Sequence, residues 1–131
     1  MTSSRPAATC ILIVEDEVLV RMFAADALEE AGFRVEQAAS AAEALSKVQT
    51  LRDGLTAVVI DLGLPDRSGD EVAAEIRTLH DQLPILIASG RSERELRQRF
   101  AVDGRVAIMV KPYTGPMLID ALDSLGVAAN P

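Results

Sequence analysis

A repeated alternation limits what this chain can fold into more than any other feature. Five short runs, Cys10–Val14, Arg34–Ala38, Ala57–Ile60, Ile85–Ala88 and Val106–Val110, are separated by stretches with helical spacing. Four of the runs are rich in Val or Ile and most are apolar throughout, which is how strands covered on both faces read. In the first intervening stretch Val20, Phe23, Ala24, Ala27, Leu28 and Ala31 step by threes and ones. That spacing makes one helix stripe, and Gly32 follows as its C-cap. Ser40-Ala-Ala-Glu43, Ser68-Gly-Asp-Glu71 and Ser92-Glu-Arg-Glu95 have the capping-box form at the start of later helices. Pro116, after Gly115, suits the first turn of a last helix, and Gly126 closes it. The order is β-α five times over. It predicts an α/β fold with a five-stranded parallel sheet, right-handed crossovers and helices on both faces.

Composition narrows the function classes. The 131 residues fit one domain, placed at residues 10–126, with a flexible N-terminal tail over 1–9 and a C-terminal tail over 127–131. Thirteen Lys and Arg against 20 Asp and Glu leave a net charge of −7, which repels phosphate backbones, so nucleic acid is not an expected partner. The single Cys10 excludes an internal disulfide and any multi-cysteine metal site. The longest purely apolar runs hold five residues, too few to span a bilayer, and no signal-like segment opens the chain. The expectation is a cytoplasmic protein with no membrane attachment.

In a parallel sheet of this kind, chemistry collects at the carboxyl ends of the strands. Those positions hold Glu15-Asp16-Glu17, then Asp61 with Leu62-Gly63-Leu64-Pro65, then Ser89-Gly90, then Lys111-Pro112. Two like charges about 4 Å apart repel by roughly 4 kcal/mol at a surface-like dielectric. Glu15, Asp16 and Asp61 in one pocket therefore need protons or a cation. Oxygen donors with no His or Cys nearby select a hard divalent ion, Mg²⁺ above all, with Mn²⁺ as a substitute. Lys111 adds a fixed positive charge and Ser89 a hydroxyl. Such a frame suits a phosphoryl group, with Asp61 as the nucleophile that forms an acyl phosphate. Gly63, Pro65 and Gly69 would shape a tight loop around a metal-bound carbonyl.

These residues, in this order, resemble the response regulator receiver domain of two-component signalling from Cys10 to Leu125. The match lies in Glu15-Asp16, in Asp61 within D-L-G-L-P-D-R-S-G, in Ser89, and in Lys111-Pro112-Tyr113. Asp16 to Asp61 is 45 residues, Asp61 to Ser89 is 28, and Ser89 to Lys111 is 22. The resemblance implies a flavodoxin-like fold with strand order 2-1-3-4-5. It implies phosphoryl transfer from a histidine kinase or phosphotransfer protein to Asp61. Mg²⁺ would be held by Asp16, Asp61, the Gly63 carbonyl and, through water, Glu15. A cis Lys111–Pro112 bond belongs to the same pattern. Two positions that tune phosphoryl lifetime in that family hold Gly63 and Arg91 here, which predicts slow-to-moderate self-dephosphorylation.

One departure concerns output. Ile108 stands three residues before Lys111, where family members often carry Tyr or Phe, so a switch through a turning ring cannot run there. Arg91, Ile108, Pro112 and Tyr113 are the candidate switch or output positions. Arg91, Arg94, Arg97 and Arg99 make the helix expected after the fourth strand a candidate output surface. Leu19 and Met22 lie off the first helix stripe, beside the acid pocket, and are candidates for docking a kinase's four-helix bundle. Six residues follow the last helix, which suggests a stand-alone receiver acting on an unidentified downstream protein or passing the phosphoryl group on. A phosphate sink or relay intermediate is the nearest alternative. A metal-dependent phosphohydrolase would want a second Asp two residues after Asp61, where this chain has Gly63.

Overall fold

The computed structural model describes residues 9–90 and 104–129. Five parallel strands, β1 (Cys10–Val14), β2 (Arg34–Ala38), β3 (Ala57–Asp61), β4 (Ile85–Ser89) and β5 (Val106–Val110), form one sheet in the order 2-1-3-4-5. Among the described residues four α-helices connect or follow them: α1 (Val18–Glu30), α2 (Ala41–Leu51), α3 (Gly69–Leu79) and α4 (Gly115–Ser124). The helix expected from Ser92, with its arginines, lies outside the described residues. The parallel sheet is the one the alternation predicts, and its strand order is the flavodoxin-like one that the resemblance implies.

Strand alternation splits the core in two. Leu12, Val14, Val58, Ile60, Ile85 and Ile87 face α2 and α3, where Ala44, Val48, Val72 and Ile76 close the layer. Ile11, Ile13, Val59, Leu86 and Met109 face α1 and α4, against Ala24, Leu28, Leu118 and Leu122. All of β1, β3 and β4 is buried, as apolar runs of both parities demand. β2 differs from the apolar-run reading. It is an edge strand, buried only at Ala38, and its polar Arg34, Glu36 and Gln37 blunt that edge.

The helix ends follow local chemistry. Gly32, at φ 99°, donates to the Glu29 carbonyl while Phe33 donates to Leu28. That is a Schellman close, with buried Phe33 packed back on the helix. The same close ends α4: Gly126, at φ 81°, donates to Asp123, and Val127 donates to Leu122. Val127 is thereby buried at 3% exposure, and the Thr9 hydroxyl donates to the Ala128 carbonyl at 3.2 Å. Packing thus reaches into both stretches that the sequence reading assigns to tails. Of the two described capping boxes only one forms. Ser40 accepts from the Glu43 amide, and Glu43 returns a bond to the Ala39 amide at 2.9 Å. Ser68 makes no side-chain cap bond, and the Gly69 amide at the start of α3 donates to the Leu62 carbonyl at 2.8 Å.

This contrast sets an expectation for stability. Ser40→Ala should cost about 1 kcal/mol in a urea melt, the usual worth of an N-cap. Ser68→Ala should stay within about 0.5 kcal/mol, since no cap bond is lost.

Candidate functional site

The carboxyl ends of β1, β3, β4 and β5 bring the four sequence-predicted stretches to one edge. Glu15 is buried directly after β1, and its amide donates to Ala38 on β2. Its Oε2 accepts from the Glu17 amide at 3.1 Å, which sets the carboxylate's direction. Arg21, one turn into α1, donates to the Glu15 carbonyl at 2.8 Å and to Gln37 Oε1 at 3.1 Å. Asp61 ends β3 at 8% exposure. Asp16 sits at the rim, more open to solvent than either. Oxygens of Glu15, Asp16 and Asp61 all lie within 4.8 Å of one another.

Lys111 answers this crowding. Its Nζ lies 3.0 Å from Glu15 Oε1 and 3.1 Å from Asp61 Oδ1, so one ammonium bridges two carboxylates. Its amide also donates to the Ser89 carbonyl at 2.7 Å, and the Lys111–Pro112 bond is cis. Burial pushes the Glu15 carboxyl above its ordinary range. The Glu17 amide and Lys111 act against that shift, and Asp61 adds to it. Burial also works against the charge on Lys111, but its bonds to Glu15 and Asp61 outweigh it and hold the ammonium above its usual value.

A cleft of about 550 Å³ opens over Asp61, lined by Gly63, Ser68, Asp70, Ser89, Gly90 and Lys111 among others. Ser89 is buried at its wall. The loop after β3 runs unusually close to the strand. A Cβ on Gly69 would stand 2.5 Å from the Asp61 carbonyl oxygen, so only glycine permits this approach. A Cβ on Gly63 would sit 3.8 Å from Asp61 Oδ2, an ordinary contact that places Gly63 beside that oxygen. The site therefore assembles Glu15, Asp16, Asp61, Gly63, Ser89 and Lys111 together.

The remaining candidates fall elsewhere. Arg91 lies outside the described residues. Ile108 pairs with Ile87 in the sheet and is half-buried. Pro112 and Tyr113 line a second groove, of about 500 Å³, with Glu17, Leu19, Val20, Phe23 and Lys111. Leu19 and Met22 are 81% and 51% exposed, so both stand off the core. Phe23, which the stripe places inside, is 46% exposed. The buried residues of α1 are Ala24, Ala25 and Leu28, a narrower face. The Phe23 ring instead meets Tyr113, with centroids 6.2 Å apart and planes tilted by 49°. Burial, then the Glu15 charge, pushes the Tyr113 hydroxyl above its normal pKa. The sequence reading missed Ser68 and Asp70 as cleft residues and Phe23 as a groove residue. For Phe23 the available signal was Tyr113, the one other large ring near a helix start.

Known proteins supply an independent comparison. The family model of the response regulator receiver domain matches residues 11–123. The sensor kinase CckA of Brucella abortus is 32% identical over 104 residues, covering 79% of this chain and 11% of that protein. The transcriptional regulatory protein PdtaR of Mycobacterium tuberculosis is 34% identical over 114 residues, 86% of this chain and 54% of the relative. The chain thus spans about half the length, or less, of these curated relatives. The solved structure of the chemotaxis protein CheY4 of Vibrio cholerae superposes with a TM-score of 0.82 at 28% identity, covering 91% of this chain and 99% of that one.

Removing the ammonium tests the electrostatic account. Lys111→Met leaves two neighbouring carboxylates unanswered and should cost roughly 2–4 kcal/mol at pH 7, less than for a fully buried pair because Lys111 is 22% exposed. A carboxyl raised by folding, as Glu15 is, favours the native state below its unfolded pKa, and that contribution is lost as pH rises through the folded value. The deficit of the variant should therefore shrink as pH falls and Glu15 takes up a proton. Urea melts across pH check the sign; a deficit that grows on acidification contradicts it.

Proposed function

Because the chain belongs to the response regulator receiver family, we propose that Asp61 accepts a phosphoryl group from a histidine kinase or phosphotransfer protein in a Mg²⁺-dependent reaction. The supporting observation is the placement of Asp61 on the floor of an open cleft, beside Glu15, Asp16 and Lys111. An Asp61 oxygen attacks phosphorus, and the phosphorus–nitrogen bond of the donor histidine breaks. The departing imidazole nitrogen keeps that electron pair and takes a proton from water. Lys111 then turns from the carboxylates to the new phosphoryl oxygens, and the Ser89 hydroxyl donates to another.

The donor set suits the metal. Three carboxylates with oxygens inside 4.8 Å, and no nitrogen or sulfur ligand in the group, match a hard divalent cation, Mg²⁺ or Mn²⁺. Asp16, Asp61 and the Gly63 carbonyl would hold it directly, with Glu15 behind a water. Such an ion, when bound, neutralises charge on the transferring oxygens.

Output would pass by contact with a downstream protein or by onward phosphoryl transfer. A specific feature favours the sink or relay version. Ile108, paired with Ile87, supplies no ring that could turn inward when Ser89 moves. An acid/base partner for a phosphohydrolase is missing at Gly63, so the chain is read as a phosphoacceptor and not as an enzyme. Among the described residues no helix is long and apolar enough to cross a membrane, and a cytoplasmic location is part of the proposal.

The kinase side of the proposal draws on surface chemistry. Val18, Leu19, Met22 and Phe23 expose apolar side chains along the start of α1. The groove they border shares Lys111 with the phosphoacceptor cleft. A helical bundle seated there would carry its histidine to the mouth of the cleft.

Two measurements test this reading. Intact mass after incubation with acetyl phosphate and Mg²⁺ should show one added phosphoryl group. That gain should be absent in Asp61→Asn and in the presence of a chelator; labelling that survives both changes sinks the assignment. Leu19→Glu should slow labelling by a cognate kinase about fivefold or more, a single apolar anchor being worth roughly 1 kcal/mol or more. Labelling by acetyl phosphate should be unaffected by the same substitution.

A further inference from the structure

We propose that Asp66 is a positioning residue for metal loading: it clasps the loop after β3 to the first turn of α2 and so aims the Gly63 backbone at the acidic cleft. The inference rests on the metal-dependent reading above. Asp66 Oδ1 accepts from the Ala41 amide at 2.9 Å and Oδ2 accepts from the Ala42 amide at 3.1 Å. Both oxygens are thus committed to a helix that lies about 25 residues earlier in the chain. The Ala41 amide, with Ala42 and the local turn amides, holds the Asp66 carboxyl below its ordinary range.

The bond pattern goes beyond an ordinary cap. α2 already has its own: Ser40 Oγ takes the Glu43 amide, and the Ser40 carbonyl takes the Ala44 amide. Asp66 adds a link between elements, on the loop that carries the expected carbonyl ligand. On the strand side of Gly63 that loop is held by Leu62, whose amide donates to Ala88 and whose carbonyl accepts from Gly69. On the far side Leu64 is buried in the α2–α3 layer, Pro65 has no amide to donate, and Asp66 makes the two bonds to α2. A carboxylate ligand can swing toward an ion on its own side chain. A backbone carbonyl has no such freedom and can only be aimed by the residues on either side. The clasp supplies the second of the two points that a fixed aim requires. Asp66 is also not among the residues that line the cleft, so its charge is spent on α2 and does not enter the metal set.

Calorimetric titration of Mg²⁺ into the full chain tests this, comparing wild type with Asp66→Ala, Asp66→Asn and Ser40→Ala. Asp66→Ala should weaken Mg²⁺ binding by about tenfold, as loss of a ligand's supporting contact commonly does. Asp66→Asn keeps one acceptor and should fall between; it also serves if the alanine variant does not fold. Ser40→Ala, which loosens α2 without touching the loop, should bind as wild type. At saturating Mg²⁺ each variant should accept phosphate from acetyl phosphate at close to the wild-type rate. Unchanged Mg²⁺ affinity in the Asp66 variants overturns the clasp, as does equal weakening by Ser40→Ala or slow labelling that saturating Mg²⁺ does not restore. If wild type itself binds no Mg²⁺, the metal-dependent reading fails, and the clasp's role in loading fails with it.

Discussion

An uneven balance of charge at one edge of the sheet governs the rest of this structure. Three carboxylates meet within 4.8 Å, and Lys111 reaches two of them. Burial makes that arrangement costly, as the raised Glu15 carboxyl records. The same cost is what makes the site receptive. A divalent cation, on the reading proposed above, would relieve the repulsion and free Lys111 for other oxygens. The proposed phosphoryl group would then bring new charge, about −1.5 to −2 near neutral pH, to a place already furnished with an ammonium and a buried hydroxyl. A structure relaxed without the imbalance would have little reason to respond to either.

The scaffold has to hold that tension without yielding. It does so by making the strands that carry the acids, β1 and β3, fully buried and flanked by strands on both sides. Behind the site, Glu15 is fixed through its amide, its carbonyl and one carboxylate oxygen, by Ala38, Arg21 and Glu17 in turn. The close pass of Gly69 over Asp61 ties the following loop to the strand end. These contacts place the charges; hydrocarbon on both faces of the sheet resists their separation. The receiver fold in this chain is thus a rigid support for a deliberately strained electrostatic site, with an apolar groove beside it that shares Lys111.

Much of this is legible before any coordinates. Strand ends could be read because buried strands are apolar on both faces, so the first charged residue after each run marks where the strand leaves the core. Glu15, Asp61 and Lys111 were found that way, and the structure brings them together. Other features were not legible, for physical reasons. Phe23 has the spacing of a core residue but sits at the margin of the buried face, half-exposed, where its ring meets Tyr113 from a distant loop. Val127 reads as tail, but the Schellman close of α4 turns it inward. In each case a partner remote in sequence, or a local backbone bond, decides the outcome.

The amino-acid sequence by itself determined the alternation of strands and helices, the parallel sheet that follows from it, and the identity of the residues at the strand ends. Periodicity and residue chemistry are local properties, and local properties survive without coordinates. Tertiary structure alone decided which carboxylates share the ammonium, that burial pushes the Glu15 carboxyl above its ordinary range, and that Asp66 reaches back to α2. Those outcomes depend on distances of a few ångströms between residues tens of positions apart, and such distances exist only once the whole chain has packed.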